Sequence, residues 1–160
     1  GHTFMKLELR NSPESPMAGE MSGHFFMNDD WDGFDDAIYN AARLMKIVGN
    51  DPSPEQGGPN FSDRFSFMPE YPSTNEGKIP LVGEREEVMS AVISAFSDMD
   101  YSDVDGIRVR YQGGWFLCRP SNTEPILVMR AEGKDQVSLE SIISDVKLRI
   151  GHLADIEKLI

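Results

Sequence analysis

The chain has 160 residues, with 15 Lys and Arg against 27 Asp and Glu, a formal charge of −12 that repels phosphate backbones and anionic lipid and makes nucleic acid and membranes poor partners. Hydrophobic residues at 39% and charged residues at 26% give a globular composition, with no apolar run long enough for a membrane span. Cys118 stands alone, excluding an internal disulfide or a Cys-based zinc site, and without a signal-peptide pattern a cytoplasmic protein is expected.

In chain order, residues His2 to Arg10 suit either a helix or a strand. Met17-Ala18 and His24 to Met27 are short apolar runs around a glycine-containing turn, predicting strand–loop–strand. Phe34, Ala37, Ile38, Ala41, Met45 and Val48 recur at helical spacing, with Asp35 and Asp36 where the helix dipole favours acids and Gly49 as a stop signal. The acidic run Asp29, Asp30, Asp32, Asp35 and Asp36 has no EF-hand spacing and reads as a solvated face or helix cap. From about Asn50 to Glu76, Pro52, Pro54, Pro59, Pro69 and Pro72 rule out a long helix or central strand. Phe61, Phe65, Phe67 and Tyr71 in that stretch predict a connector packed onto its neighbours rather than a free linker.

Beyond it, Ile79 to Val82 reads as a strand and Glu84 to Ser97 as a helix with Val88, Val92, Ala95 and Phe96 on one face. Ile107, Val109 and Tyr111 alternate with Arg108 and Arg110, the pattern of a half-buried strand. Gly113-Gly114 turns the chain into a strand from Trp115 to Arg119, and Ile126 to Arg130 is a further strand. Leu139, Ile142, Ile143, Val146 and Ile150 mark a final amphipathic helix ending near Gly151. Strand, helix, strands and helix make a compact α+β unit.

Two polar clusters carry the chemistry. Arg119-Pro120-Ser121-Asn122-Thr123-Glu124-Pro125 packs a guanidinium fork, hydroxyls, an amide and backbone N–H groups between two apparent strands. That set suits the oxygens of a phosphate or carboxylate. It equally suits a polar turn whose Ser, Asn and Thr satisfy their own backbone. In Gly19-Glu20-Met21-Ser22-Gly23-His24, Glu20, Ser22 and His24 alternate and can share one side of a tight loop. A carboxylate beside a hydroxyl is how sugar hydroxyls are held, and an imidazole exchanges protons with them near neutrality. The plainer alternative is a hairpin turn facing water. Cys118 reads as a small buried hydrophobe, His152 as a surface residue past a helix end, and the Asn60-Phe61-Ser62 sequon as chance.

Together these clusters resemble a known family. Residues 19–24 are similar to the sugar-binding loop of the α-D-phosphohexomutases, in the form of the phosphomannomutase/phosphoglucomutase branch. Residues 119–125 resemble the phosphate-binding loop of that family's last domain. Asp35-Asp36-Ala37-Ile38-Tyr39, Asp105-Gly106-Ile107 and Gly114-Trp115 fall in the family's order between them, and Gly1-His2-Thr3-Phe4-Met5-Lys6 matches the segment ahead of the sugar loop. The resemblance covers essentially the whole chain.

It implies an enzyme with domains around a deep cleft: a phosphoserine on the first, a magnesium-binding aspartate loop on the second, the sugar loop on the third and the phosphate loop on the fourth. The expected organisation is the latter half of an α/β/α mixed-sheet domain III over 1–68, a linker over 69–76, and a small TBP-like α+β domain IV with an antiparallel sheet over 77–160. The resemblance implies that Glu20 and Ser22 hold sugar hydroxyls, that His24 is a proton-transfer residue near the reacting end, and that His2 is a further cleft contact. Arg119, Ser121, Asn122 and Thr123 would grip the phosphate that is not reacting. The full-length enzyme would interconvert hexose 1-phosphate and hexose 6-phosphate of mannose or glucose, through hexose 1,6-bisphosphate as intermediate and activator. Magnesium would be bound outside this chain, which holds no metal or cofactor of its own and should be inactive without its missing N-terminal domains. A non-catalytic phosphosugar-binding module and an acidic interaction protein are the competing readings. Exposed apolar faces in a truncated domain III predict that residues 1–68 are less stable than 74–160, or pair with another copy.

Overall fold

In the computed structural model, which describes all residues except Met21, Asp51, Ser53, Asn122 and 157–160, the chain forms two units, Gly1–Pro69 and Glu70–Ile160. The first begins with helix α1 (His2–Asn11), which settles the ambiguous N-terminal segment as helix and buries Leu9. Strands β1 (Met17–Gly19) and β2 (Phe25–Met27) pair antiparallel, with Gly19 opposite Phe25. Gly23, at φ +89°, allows the reversal between them. Helix α2 (Ala37–Gly49) starts where Asp36 accepts hydrogen bonds from the N–H groups of Ile38 and Tyr39, both at 3.0 Å. Gly49 is the last helical residue rather than the first beyond it.

Apolar burial in this unit is slight. Phe26 is fully buried, but no residue of α2 is, and Ile38 and Met45 on its apolar stripe are 85% and 67% exposed. Polar ties hold the pieces instead. Asn40 Nδ2 donates to the Phe25 carbonyl at 2.8 Å, and Asn28 Nδ2 to those of Pro13 and Ser15 at 3.2 and 3.1 Å. Arg43 forks onto both carboxylate oxygens of Asp29, and Trp31 stacks on Tyr39 with centroids 4.5 Å apart. In the proline-rich stretch Phe67 is 81% exposed, while Phe61 and Phe65 meet each other edge-on at 5.3 Å. A short 3₁₀ turn over Phe61–Phe65 brings these two rings together.

The second unit is a five-stranded antiparallel sheet in the order β3-β7-β6-β5-β4, formed by β3 (Gly77–Pro80), β4 (Tyr101–Ser102), β5 (Ile107–Tyr111), β6 (Gly114–Pro120) and β7 (Ile126–Gly133). Helices α3 (Arg85–Ala95) and α4 (Gln136–Ile150) cover one face. Val92, Phe96, Ile107, Phe116, Met129 and Val146 are among its fully buried core residues. The first strand lies earlier than Ile79 to Val82 because its partner decides its position. The chain already runs beside β7 from Pro72, whose carbonyl accepts from Gly133 N, and Thr74 exchanges bonds with Ala131. The two-residue β4 is too short to show any alternation in sequence.

Arg149 ties α4 to the end of α3: it donates to the Ala95 carbonyl at 2.7 Å and to Asp98 at 2.7 and 3.0 Å, and its Nε donates to Asp145 at 2.9 Å. Tyr111 Oη donates to the same Asp145 at 2.8 Å, and burial with that carboxylate beside it pushes the phenol's pKa far up. Among the described residues no helix is long and apolar enough to cross a membrane.

Candidate functional site

The first cluster occupies the β1–β2 loop. Glu20 N donates to the His24 carbonyl at 2.9 Å and Gly23 N to the Glu20 carbonyl at 3.0 Å, which closes the loop on itself. Glu20 and Ser22 come together, with Ser22 Oγ donating to Glu20 Oε2 at 3.4 Å. The other carboxylate oxygen, Oε1, is shielded from water and has no hydrogen-bond partner. A shielded, unpaired carboxylate oxygen is costly and is relieved by any donor that arrives, such as a sugar hydroxyl. His24 Nδ1 lies 2.7 Å from Asp35 Oδ2, and the His2 ring is 6.3 Å from that of His24, tilted by 33°. The α1 start thus brings the His2 ring near that of His24.

The second cluster is carried by the end of β6 and the turn into β7. Arg119 and Pro120 are in-register strand residues, opposite Val128 and Leu127. Ser121 N donates to the Ile126 carbonyl at 2.9 Å, fixing the base of the turn. Ser121 is buried, and its Oγ accepts from Thr123 N at 3.3 Å and Glu124 N at 3.2 Å, with Thr123 Oγ1 at 3.4 Å. These are the local bonds of a self-satisfied turn. They are also long ones, and N–H groups gathered on one weakly held oxygen exchange readily for a phosphate oxygen. Asn122 lies outside the described residues. The Arg119 guanidinium has no hydrogen-bond or ion-pair partner among the described residues, so its donors are available.

Gly106 sets where Arg119 stands. It has φ +77°, and a Cβ there would fall 2.3 Å from the Cys118 carbonyl and 2.6 Å from Arg119 Cα. Only glycine lets the turn into β5 approach β6 at this point.

The sheet also sorts charge in a way that sequence reasoning missed. Side chains alternate across strands. With Ile107, Val109, Phe116, Cys118 and Met129 in the core, Arg108, Arg110, Arg119 and Arg130 fall on the face without helices, and Lys78 pairs in register with Val128 on that face. These are five of the 15 Lys and Arg residues in a chain of charge −12. Arg108 lies over the Trp115 ring at 5.0 Å, and Trp115 Nε1 donates to Glu132 at 3.1 Å. The signal was present as alternating Arg108 and Arg110, but the coincidence of cations from separate strands appears only once the register is known.

Within the acidic run, Asp36 caps α2, and the Arg43 guanidinium holds the Asp29 carboxyl down at about 2. Among the described residues no group of three or more His, Cys, Asp or Glu side chains is placed to hold a metal ion. Cys118 is fully buried, and that burial pushes its thiol up to about 12. His152 is exposed beyond α4.

The profile of the phosphoglucomutase/phosphomannomutase C-terminal domain matches residues 74–148, and that of the family's alpha/beta/alpha domain III matches residues 1–71. The chain belongs to the phosphoglucomutase/phosphomannomutase family. It is 39% identical over 148 residues to the phosphomannomutase/phosphoglucomutase of Pseudomonas syringae pv. tomato, covering 89% of this chain and 30% of that protein. It is 34% identical over 152 residues to a phosphoglucomutase of Neisseria meningitidis, covering 92% and 31%. The solved structure of a phosphoglucomutase/phosphomannomutase family protein from Burkholderia thailandensis superimposes with a TM-score of 0.76 at 32% identity, over 96% of this chain and 31% of that one. The chain therefore corresponds to the C-terminal part of such enzymes, domains III and IV, and spans about 30% of the length of the Pseudomonas relative.

Proposed function

We propose that this phosphoglucomutase/phosphomannomutase segment is the substrate-recognition part of an enzyme that moves a phosphoryl group between the 1- and 6-positions of mannose or glucose phosphates. In this reading Glu20 and Ser22 hold sugar hydroxyls, with His2 a further contact, and His24 exchanges a proton with the sugar. Arg119, Ser121, Asn122 and Thr123 grip the phosphate at the opposite end. The observation that carries it is Glu20 Oε1, a shielded acceptor without a partner inside the loop that resembles the family's sugar-binding loop. The phosphoserine and the magnesium site are assigned to residues outside this chain, and hexose 1,6-bisphosphate is the intermediate whose phosphate the residue 119–125 loop would have to accept on either sugar carbon. A grip made of one guanidinium, hydroxyls and backbone N–H groups suits that demand, because it recognises phosphate and not the sugar carbon that bears it. A cytoplasmic location fits a chain whose one cysteine is a free, buried thiol.

The test is an amide NMR titration of the chain with glucose 1-phosphate and mannose 1-phosphate. Shifts are expected at Ser121 to Thr123 and at Glu20 to His24, and Arg119→Ala should remove those at the phosphate loop, weakening binding by at least about tenfold for the loss of a charge-assisted grip. Unchanged affinity in that variant would overturn the assignment. Alone, the chain is expected to bind without turnover in a coupled mutase assay.

A further inference from the structure

His24 and Asp35 are separated by strand β2 and the turn that follows it, yet His24 Nδ1 lies 2.7 Å from Asp35 Oδ2. The backbone of Asp35 is pinned on both sides. An isolated antiparallel bridge pairs it with Phe26 of β2, and the next residue, Asp36, caps α2. His24 immediately precedes β2, so both partners hang from the same short strand. An ionised carboxylate only accepts hydrogen bonds, so Nδ1 must carry the proton, and a neutral ring then leaves Nε2 bare. Among the described residues Nε2 has no hydrogen-bond partner, and the side chain is 50% exposed.

We propose that Asp35 is a positioning residue that fixes His24 in its Nδ1–H tautomer and aims Nε2 as a proton acceptor at a bound sugar hydroxyl. The proposal rests on the reading of residues 19–24 as a sugar loop. In the step it serves, the hydroxyl O–H bond breaks as that oxygen turns nucleophilic, the proton forms a new N–H bond at Nε2, and the resulting imidazolium keeps its Nδ1–H on the Asp35 carboxylate. That bond strengthens as the ring gains charge, which favours transfer. In the reverse direction the same Nε2–H returns its proton to the departing hydroxyl oxygen. Sequence reading places Asp35 beside Asp36 as a dipole-favoured acid at the helix start; the pairing with His24 is a tertiary feature.

The test needs no turnover. Imidazole ¹⁵N NMR of the chain above the imidazole titration range should show His24 Nδ1 as the protonated, pyrrole-type nitrogen and Nε2 as the bare, pyridine-type one. In Asp35→Ala the ratio of Nδ1–H to Nε2–H tautomer should fall about tenfold, the size of one hydrogen bond to a charged group. Asp35→Asn keeps an acceptor oxygen and should retain the Nδ1–H form, which guards against an Asp35→Ala chain that fails to fold. A wild-type His24 found as the Nε2–H tautomer, or a ratio unchanged in a folded Asp35→Ala chain, overturns the proposal. Hexose phosphate titration of the same samples separates the two readings: an Asp35-dependent tautomer in a loop indifferent to the sugar overturns the proposed function, and with it the proton transfer.

Discussion

The two units carry the same formal charge and are held together differently. Residues 1–69 have five Lys and Arg against eleven Asp and Glu, and residues 70–160 have ten against sixteen, so each is at −6. Charge does not distinguish them; apolar burial does. In the first unit only Leu9 and Phe26 are buried hydrophobics among the described residues, whereas the second encloses a continuous core between its sheet and both helices. The first is held by Asn40 on the Phe25 carbonyl, Asn28 on the α1–β1 connection, and the Arg43–Asp29 fork. Side-chain hydrogen bonds at a surface contribute about 1 kcal/mol each, while a fully buried large side chain contributes about 1.5–3 kcal/mol. The residue 19–24 cluster therefore sits on a support with little apolar burial, and the residue 119–125 cluster on the end of a well-packed strand.

That contrast can be broken most directly in the core. Phe116 is fully buried, 5.7 Å from Phe96, so Phe116→Ala should cost the second unit about 3–5 kcal/mol. Cys118 supplies the readout, since a buried neutral thiol stays unreactive to iodoacetamide at pH 8 until that unit opens. In the parent chain, amides of β1 and β2 should exchange at least about a hundredfold faster than those of β6 and β7. Equal protection in a monomer would remove the distinction.

A smaller effect sharpens the second unit's role. Gly106→Ala should cost about 1–3 kcal/mol through its positive φ and its collision with β6, and should weaken phosphosugar binding as Arg119 shifts. Loss of stability with unchanged affinity at a temperature where the variant is folded would separate Gly106 from the grip on Arg119.

The smallest expected effect is on acid sensitivity. Arg43 holds the Asp29 carboxyl at about 2, below the unfolded value of about 3.9. The ionised pair thus favours the folded first unit above about pH 4, and that preference is lost as pH falls toward 2. Asp98, lowered by Arg149, has the same sign in the second unit, where the apolar core does not titrate. Acid titration followed by NMR should lose α2 before β6, and Asp29→Asn should flatten the first transition only.

Most secondary structure was legible because periodicity reports burial. Val88, Val92 and Phe96 mark α3, and the alternation around Arg108 and Arg110 marks β5. Both site motifs were legible because their residue types are dense and local. Periodicity failed where burial gave no signal: α1 buries only Leu9, and β4 is two residues long. The stripe on α2 correctly predicted a helix, and the expectation of exposed apolar faces in this part of the chain holds for Ile38 and Met45.

By itself, then, the sequence determined both helices of the second unit and its strands apart from β4 and the start of β3, together with the two polar loops and the family to which they belong, all of which depend on neighbours within about one turn or hairpin. Tertiary structure alone decided what distant residues do for one another. The Phe26–Asp35 bridge places a carboxylate on His24, the approach of Gly106 fixes Arg119, and antiparallel register collects cations from β3, β5, β6 and β7 on one face. The physical reason is that a hydrogen bond or a steric contact acts over a few ångströms in space, whereas the residues that make it are set side by side only when strands pair and helices dock.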